Sequence, residues 1–292
     1  MKIALFYFSG TGNTEKCVLF WKENASKHNI QIDLFKIEED KFDFSTLDQY
    51  DKIGFGYPIH AFNQPENVWR YCKKFPKQAK EKPYFVIMCS GEYMTINNSS
   101  ANKMNRILRR INFKLESDYH YIMPYNMIFR HTEIRAYKMY ETLTKLVPVD
   151  VYEYLVEGKP HFTKKHHCVG WFIWLLRIEQ VFSWLIGITF RVNTKKCIKC
   201  MKCVNNCPTK NIEYVNGKFK FHTNCLVCTR CSFNCPVDAF NTGFLNSWRV
   251  NKPYAFKDPG VPEVDKHPKY CKKSYIRYFA EAEERISKFQ TK

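Results

Sequence analysis

The stretch KIALFYFSGTGNT, residues 2 to 14, places a glycine-rich turn directly after an apolar run. Residues 2 to 8 have the apolar character that a buried parallel strand requires. From Thr14 to about His28 the sequence can form a helix, with apolar side chains available for an inner face. The predicted order is therefore strand, loop and helix, and the loop has a size that suits a phosphate group.

The loop itself, SGTGNT at residues 9 to 14, carries groups that bind anions. Its serine and threonines supply hydroxyls, its glycines allow backbone N–H groups to turn inward, and the following helix adds a favourable dipole. It lacks the lysine of a P-loop and the G-x-G-x-x-G spacing of a dinucleotide fold, so ATP and NAD are poor candidates for it. Because a glycine-rich turn alone is weak evidence, the assignment depends on the rest of the chain.

Four further strand-like runs follow, separated by helix-length stretches. They are IQIDLFKI (30 to 37), KIGFGY (52 to 57), YFVIMCS (84 to 90) and DYHYIMPY (118 to 125). Five strands that alternate with helices predict a doubly wound α/β sheet, in which ligands bind beyond the carboxyl ends of the strands. Three segments can meet at that edge: residues 9 to 14, YPIHAFN at 57 to 63, and SGEYMT at 90 to 95.

The second half of the chain contains an internal cysteine repeat. KKCIKCMKCVNNCP (195 to 208) and CLVCTRCSFNCP (225 to 236) both follow C-x2-C-x2-C-x3-C-P, offset by 28 residues. Three such thiolates can surround one cubane cluster, and in two-cluster ferredoxins the fourth cysteine ligates the other cluster. Carried over residue by residue, this pattern assigns cluster I to Cys197, Cys200, Cys203 and Cys235, and cluster II to Cys225, Cys228, Cys231 and Cys207.

The alternative for this repeat is a pair of structural zinc sites, since C-x2-C pairs also bind zinc. Zinc sites usually separate two pairs by about a dozen residues or more, whereas here four cysteines crowd together and the pattern recurs with a proline. This difference favours two [4Fe-4S] clusters, which move single electrons and bind no organic substrate. Between the motifs, IEYVNGKFKF (212 to 221) alternates apolar positions around Asn216-Gly217 and predicts a hairpin with a type I′ turn.

The N-terminal motifs resemble those of flavodoxin over about residues 1 to 150. FSGTGNT (8 to 14) looks like that family's loop for the FMN phosphate, and GYPIHAFNQP (56 to 65) and CSGEY (89 to 93) look like its two loops beside the flavin ring. Together with the cysteine repeat and WRVNKPY (248 to 254), they make the chain similar to fused flavodoxin and bacterial-type 2[4Fe-4S] ferredoxin proteins, found mainly in anaerobes. The resemblance implies a parallel sheet of order 2-1-3-4-5, followed by a ferredoxin domain.

The resemblance also implies an FMN site made by three loops. The phosphate would be held by Ser9, Thr11, Gly12, Asn13 and Thr14, and the ring and ribityl chain would be lined by Pro58, Ile59, His60, Ala61, Phe62 and Asn63. The pyrimidine side would be bordered by Ser90, Gly91, Glu92 and Tyr93. Of these, His60, Phe62 and Tyr93 are candidates either to stack on the flavin or to pack on neighbouring protein.

These features divide the chain into four parts. They are a flavodoxin-like FMN-binding domain at 1–160, an apolar helical linker at 161–191, a 2[4Fe-4S] ferredoxin-like domain at 192–245, and a basic C-terminal extension at 246–292. The linker contains the most apolar stretch, residues 168–190, whose length permits a membrane span but whose middle carries Arg177 and Glu179 at high cost. Either this stretch packs between domains or in a dimer, or it is an interfacial membrane anchor with basic flanks.

Charge and cysteine content bear on location and partners. The 292-residue chain has a formal net charge of +18, which attracts nucleic acid, anionic membranes or acidic proteins. Clustered cysteines without an export signal favour the cytoplasm, where thiols stay reduced, with membrane association through 168–190 left open.

The leading hypothesis is an intracellular electron-transfer protein that passes electrons between FMN, the two clusters and acidic redox partners, such as a ferredoxin or an oxidoreductase. It requires no catalytic acid, base or nucleophile. An alternative is a flavin-dependent reductase of a small molecule, fed by the clusters, which needs an accessible pocket above the ring. A basic nucleic-acid-binding iron–sulfur module is a third hypothesis, but the dispersed charge disfavours it, and no nucleic-acid partner is expected.

Overall fold

A five-stranded parallel sheet forms the N-terminal half of the computed structural model, which describes residues 1–165, 178–258 and 272–291. Its strands are β1 Lys2–Tyr7, β2 Gln31–Lys36, β3 Lys52–Pro58, β4 Lys82–Ser90 and β5 Phe113–Ile122. The spatial order is β2-β1-β3-β4-β5, with every pairing parallel. This is the flavodoxin-like doubly wound order, so the predicted fold class of this half is confirmed.

The fifth strand differs most from its predicted bounds, since it begins at Phe113 and ends at Ile122. Its register against β4 shifts between Tyr84 and Phe85, where Glu116 has no partner residue on β4. Such a bulge interrupts the two-residue alternation by which a strand is recognised. The polar first half of β5 was therefore missed, and the residues after Ile122 are free to form a loop.

The remaining regular elements follow in chain order. The helices within the described residues are α1 Asn13–Ser26, α2 Glu66–Cys72, α3 Asn102–Arg109, α4 Glu133–Val151, α5 Ile178–Ile188, α6 Lys202–Asn205, α7 Arg230–Phe233 and α8 Lys272–Gln290. Short strands β6 Arg191–Val192, β7 Ile212–Val215, β8 Lys218–Phe221 and β9 Phe240–Asn241 lie in the second half. The predicted C-terminal extension, 246–292, contains α8.

Two apolar cores cover the two faces of the parallel sheet. Alternate residues of β1 divide between them: Ile3 and Leu5 pack with α1, α4 and Ala282 of α8, while Ala4 and Phe6 pack with α2 and α3. This alternation follows from the strand geometry, which points successive side chains to opposite faces. The loops at the carboxyl edge are consequently held between two well-packed layers.

The C-terminal helix is tied to the first core by a buried polar network. The indole of Trp21 donates to the hydroxyl of Tyr121 (3.0 Å), which in turn donates to Asp150 (2.5 Å). Arg285 of α8 forms ion pairs with Asp150 (2.6 Å) and with Glu153 (2.5 Å). Burial raises the pKa of Asp150 even though Arg285 opposes that change. Part of the predicted C-terminal extension therefore belongs structurally to the flavodoxin-like half.

The cysteine repeat folds with internal two-fold pseudosymmetry. Helices α6 and α7 begin 28 residues apart, and the paired positions Met201 and Thr229 both have positive φ (56° and 54°). Strand β6 pairs with β9, while β7 and β8 form a hairpin. At its turn, Asn216 and Gly217 have φ values of 51° and 76°, which is the type I′ geometry predicted for Asn-Gly.

The predicted linker, residues 161–191, is described in two pieces. Its first residues pair along β5: the amide of Asp118 donates to the carbonyl of His161 (2.8 Å), and Lys165 forms an ion pair with Asp118 (2.6 Å). Residues 168–177 of the apolar stretch lie outside the described residues. Among the residues that the structure describes, no helix has the length and apolar character needed to cross a membrane.

Candidate functional site

A cavity of about 460 Å³ opens at the carboxyl edge of the parallel sheet. The three predicted loops meet there, as expected for ligand sites on doubly wound sheets. From the predicted set, the lining residues are Ser9, Thr11, Asn13, Thr14, Pro58, Ile59, His60, Ala61, Phe62, Ser90, Gly91 and Glu92. The volume lies in the range of cofactor pockets. We call this space the loop cavity.

The loop before α1 has the features of an anion site. The hydroxyl of Ser9 accepts hydrogen bonds from the amides of Gly12 (3.1 Å) and Glu15 (3.2 Å), which fixes the turn. Gly12 adopts a φ of 98°, a conformation that glycine reaches without strain. The buried hydroxyl of Thr14 has no hydrogen-bond partner among the described residues, although it lies at the helix N-terminus. An unsatisfied hydroxyl beside a positive helix end fits a phosphate group.

Gly12 does not itself line the loop cavity; it shapes the loop. A side-chain contact from Asn13, whose amide donates to the carbonyl of Pro124 (2.7 Å), fastens this loop to the end of β5. The loop at residues 9–14, which we call the phosphate loop after the group it is predicted to bind, is thus held on two sides by the protein itself.

The second loop is a tight turn that presents its tip to the cavity. His60 and Asn63 exchange backbone hydrogen bonds (2.8 and 2.9 Å), and Ala61 and Phe62 between them have φ values of 43° and 63°. Asn63 is buried and caps the turn by donating to the carbonyl of Ala61 (2.9 Å), so it supports the loop and does not line the cavity. Burial lowers the pKa of His60 to about 4, although the residue is partly exposed, and the imidazole is neutral at pH 7.

The third loop, after β4, is held by a polar network. The hydroxyl of Ser90 lies 2.7 Å from both the carbonyl oxygen of Glu92 and Nε2 of His120. Burial raises the pKa of Glu92, and a hydrogen bond with Tyr125 opposes the rise. This loop therefore presents a carboxyl group with a raised proton affinity at the cavity wall.

Tyr93 does not reach the loop cavity, which corrects its assignment to the pyrimidine side of the flavin. Its ring packs against Tyr278 of α8 (centroids 5.2 Å apart), and its hydroxyl donates to Glu281 (2.9 Å). The C-terminal helix supplies a buried surface for this ring that the sequence pattern did not reveal. Of the predicted stacking candidates, only His60 and Phe62 line the cavity.

Several lining residues escaped the sequence analysis. The end of β5 could have been found, because all parallel strands end at the same edge. Gly10, Pro65 and Cys89 lie within the three quoted motifs, and Glu66 and Asn97 lie just after the second and third loops. The rest come from α5, from the second cysteine motif and from the segment after β9, and no local pattern marks them. The added residues are Gly10, Pro65, Glu66, Cys89, Asn97, Met123, Pro124, Tyr125, Asn126, Met127, Ile128, Ser183, Ile186, Leu226, Val227, Leu245 and Trp248.

The eight motif cysteines line two small cavities in the ferredoxin-like half. One is lined by Cys207, Cys225, Cys228 and Cys231, which we call thiol group II; the other is lined by Cys197, Cys200, Cys203 and Cys235, which we call thiol group I. Cys231 lies at the boundary and touches both cavities. The grouping has the crossed arrangement that the spacing suggested, with each motif lending its fourth cysteine to the other.

Backbone amides point at individual sulfurs of both thiol groups. The amide of Lys199 donates to Cys197 (3.4 Å) and that of Val227 donates to Cys225 (3.3 Å). Matching amides of Asn211 and Ala239 donate to Cys207 (3.2 Å) and Cys235 (3.3 Å). Hydrogen bonds to sulfur are one means by which proteins tune iron–sulfur clusters.

Burial makes these thiols poor acids on their own. It raises the pKa of Cys203 and of Cys228 to about 11 and that of Cys225 to about 12. A thiolate in such a place requires a positive partner, and iron in a cubane supplies one. The two cavities therefore fit [4Fe-4S] clusters by donor type, number and environment.

The two halves of the chain meet where the phosphate loop touches thiol group II. An ideal Cβ on Gly10 would lie 2.8 Å from the carbonyl oxygen of Cys228, so only glycine fits this contact without displacement. The guanidinium of Arg230 donates to the carbonyls of Ser9 (2.6 Å) and Gly10 (3.1 Å) and pairs with Glu38 (2.6 Å). The loop cavity and thiol group II are thus neighbours across one wall.

A second connection runs through WRVNKPY (248 to 254). Arg249 forms an ion pair with Asp238 of the ferredoxin-like half, and its backbone bridges to Met127 at the cavity. Tyr254 donates to the carbonyl of Tyr125 (2.9 Å). This segment therefore fastens the loop after β5 to the cysteine-bearing half.

Comparisons with known proteins give a local family match and structural likenesses. The family model of a 4Fe-4S binding domain matches residues 189–212. No curated protein matches the chain. The ferredoxin-type assignment of the second half thus has support from a known family, over the first cysteine motif.

Solved flavodoxins resemble the N-terminal half. A short-chain flavodoxin associated with a bacterial microcompartment is 16% identical, covering 54% of this chain and 98% of its own (TM-score 0.38). Oxidised flavodoxin 1 from Bacillus cereus is 14% identical, over 53% and 99% (TM-score 0.37), and a flavodoxin from the domain Archaea is 11% identical, over 53% and 99% (TM-score 0.34). The fold assignment rests on the strand order and not on these likenesses.

Proposed function

We propose that this chain is an electron-transfer protein that holds FMN in the loop cavity and two [4Fe-4S] clusters on thiol groups I and II. One observation carries the proposal: Leu226 and Val227 line the loop cavity while their neighbours Cys225 and Cys228 belong to thiol group II. One layer of residues therefore separates the two kinds of site. When bound, FMN would transfer one or two electrons and each cluster would transfer one. A protein that holds both can therefore couple two-electron transfer to one-electron transfer.

The residues of the cavity have distinct roles in this proposal. Thr14 and the first amides of α1 bind the phosphate group, whose negative charge the helix dipole favours. His60 and Phe62 line the part of the cavity that would hold the flavin ring. Leu226 and Val227 close the side toward thiol group II and keep water out of the shared wall.

A reductase of a small molecule is the second candidate, and two exposed apolar residues of the cavity lining favour it. Trp248 lines the loop cavity with 56% of its surface exposed, and Ile128 lines it with 50% exposed. An apolar acceptor can therefore approach the flavin side from solvent. Steady turnover of such an acceptor would separate a reductase from a carrier.

We also propose a cytoplasmic location, with acidic redox proteins as partners and a peripheral contact through residues 168–190. The described part of that stretch supports a contact with a membrane surface or a second copy, since Phe182, Leu185 and Ile188 of α5 are 46%, 37% and 38% exposed. Apolar side chains at this spacing form one face of a helix.

The test is anaerobic purification, followed by counts of iron, sulfide, FMN and zinc, and by reduction with reduced ferredoxin and with NAD(P)H. We expect about eight irons and one FMN per chain. Two matched variants locate the groups: Cys200→Ser should reduce the iron content and spare FMN, whereas Thr14→Val should weaken FMN binding and spare iron. Zinc in place of iron, or absence of flavin from the wild type, would overturn the proposal.

A further inference from the structure

The two cysteine motifs are equal in spacing but unequal in exposure. Positions related by the 28-residue repeat are Ile198 and Leu226, Lys199 and Val227, Cys200 and Cys228, and Lys202 and Arg230. Those of the second motif face the flavodoxin-like half, and Val227 and Cys228 are only 7% and 8% exposed. Their counterparts in the first motif lie on the surface, where Ile198 is 61% exposed and Cys200 is also exposed.

The buried face shows how such a motif receives a neighbour. Leu226 and Val227 form the apolar part of the contact, and the carbonyl of Cys228 packs against Gly10. At the edge, Arg230 binds two carbonyls of the phosphate loop and the carboxylate of Glu38. An apolar centre with a cationic edge thus joins thiol group II to the adjoining half.

The exposed face repeats this layout without a neighbour among the residues that the structure describes. Ile198 occupies the apolar position, Cys200 lies beside it, and Lys202 occupies the position of Arg230. Lys195, Lys196 and Lys199 are also exposed around it, so this face is more basic than its counterpart. We call Ile198, Lys199, Cys200 and Lys202 the group I face.

We propose that the group I face is the docking surface for an acidic electron-transfer protein, which sits on thiol group I as the flavodoxin-like half sits on thiol group II. The pseudosymmetry places this partner beside Cys200, as the flavodoxin-like half lies beside Cys228. Just as Arg230 pairs with Glu38, Lys199 and Lys202 would pair with carboxylates of the partner. An apolar centre within a charged rim is also the usual composition of a transient protein interface. This inference rests on the proposed function, because it assumes that thiol group I holds a cluster.

The experiment measures binding of a small, strongly acidic ferredoxin to the anaerobically purified full-length protein. Surface plasmon resonance at several salt concentrations gives the dissociation constant for the wild type and for Lys199→Glu/Lys202→Glu. The control is Lys77→Glu/Lys80→Glu, which makes the same change in net charge at exposed positions before β4, at the opposite edge of the sheet. Iron and FMN are counted on every sample.

We call Lys199→Glu/Lys202→Glu the group I variant. We expect it to raise the dissociation constant of the ferredoxin complex by about tenfold or more at low salt, and to make that constant less dependent on salt. The control should stay within about twofold of the wild type. If the group I variant loses iron, the experiment uses Ile198→Asp in its place. This substitution leaves the lysines unchanged, and we expect it to weaken binding to the same extent.

The outcomes separate the two proposals. A wild type without iron or FMN defeats the proposed function, whatever the binding result. A wild type with about eight irons and one FMN that fails to bind the ferredoxin, or that binds no better than the group I variant, overturns the docking surface alone. If both charge-reversal variants weakened ferredoxin binding equally, binding would depend on net charge and not on a defined surface. That result would also overturn the proposed docking surface.

Discussion

Arg230 joins the two halves through several polar contacts, and its removal tests how they are joined. Its guanidinium donates to the carbonyls of Ser9 (2.6 Å), Gly10 (3.1 Å) and Asn206 (3.0 Å), and it pairs with Glu38 (2.6 Å). The side chains of Arg230 and Glu38 are only 16% and 12% exposed, so water screens this pair little. Arg230→Ala removes all four contacts at once.

The expected cost follows from these contacts. Three hydrogen bonds at about 1 kcal/mol each, the value for a neutral pair because water can enter the space left, give about 3 kcal/mol. The ion pair adds about 1 kcal/mol. We therefore expect Arg230→Ala to lower the free energy of unfolding by about 4 kcal/mol. Lys202→Ala, at the equivalent but exposed position, should change it by less than about 0.5 kcal/mol.

The assay is anaerobic urea unfolding followed by far-ultraviolet circular dichroism, on samples matched for iron and FMN content. A double-mutant cycle with Glu38→Gln should give a coupling energy of about 1 kcal/mol for the pair. If Arg230→Ala costs no more than Lys202→Ala, the contact does not hold the halves together. A coupling energy of zero would refute the contribution assigned to Glu38.

Three further predictions concern the buried histidine, the cysteines and the C-terminal helix. Burial lowers the pKa of His120 to about 3, so its neutral form stabilises the fold above its ordinary pKa, and this stability is lost as the pH falls. Between neutral pH and about pH 5, the free energy of unfolding of the wild type should therefore fall by about 2 kcal/mol more than that of His120→Gln. Urea unfolding at each pH measures this difference, and parallel pH profiles of the two proteins would contradict it. Cys228→Ser should lower the iron content and change the electron paramagnetic resonance signal of one cluster while FMN remains bound, and loss of FMN would count against separate sites. Tyr275→Phe removes the hydroxyl that donates to the carbonyl of Gly91 (2.5 Å), so FMN affinity, measured by fluorescence titration, should fall several-fold; unchanged affinity would show that α8 does not support this loop.

Local patterns in the sequence were sufficient for much of the fold. The apolar run before SGTGNT predicted β1, the phosphate loop and α1, because strand and helix periods are properties of neighbouring residues. The Asn216-Gly217 pair predicted its hairpin because few other residues adopt two successive positive φ values. The cysteine spacing suggested the crossed thiol groups, because in two-cluster ferredoxins the fourth cysteine of such a motif ligates the other cluster.

Prediction was weaker where the outcome depends on contacts between distant residues. Tyr93 carries no mark that distinguishes a flavin neighbour from a residue that packs on Tyr278, which lies far along the chain. The bulge at Glu116 broke the alternation of β5 and concealed its first half. Residues of the cavity wall such as Leu226 and Trp248 look like ordinary apolar residues in sequence.

The sequence by itself determined which chemical groups this protein carries: an anion-binding loop at a helix start and two sets of four thiols. The tertiary structure alone decided how those groups are related. Two cysteine motifs with identical spacing differ in that one is buried against the phosphate loop through Cys228 and Arg230, while the other is exposed at Cys200 and Lys202. The reason is that cysteine spacing determines only the geometry within one motif, whereas the burial of a motif depends on which of its surfaces another part of the chain covers.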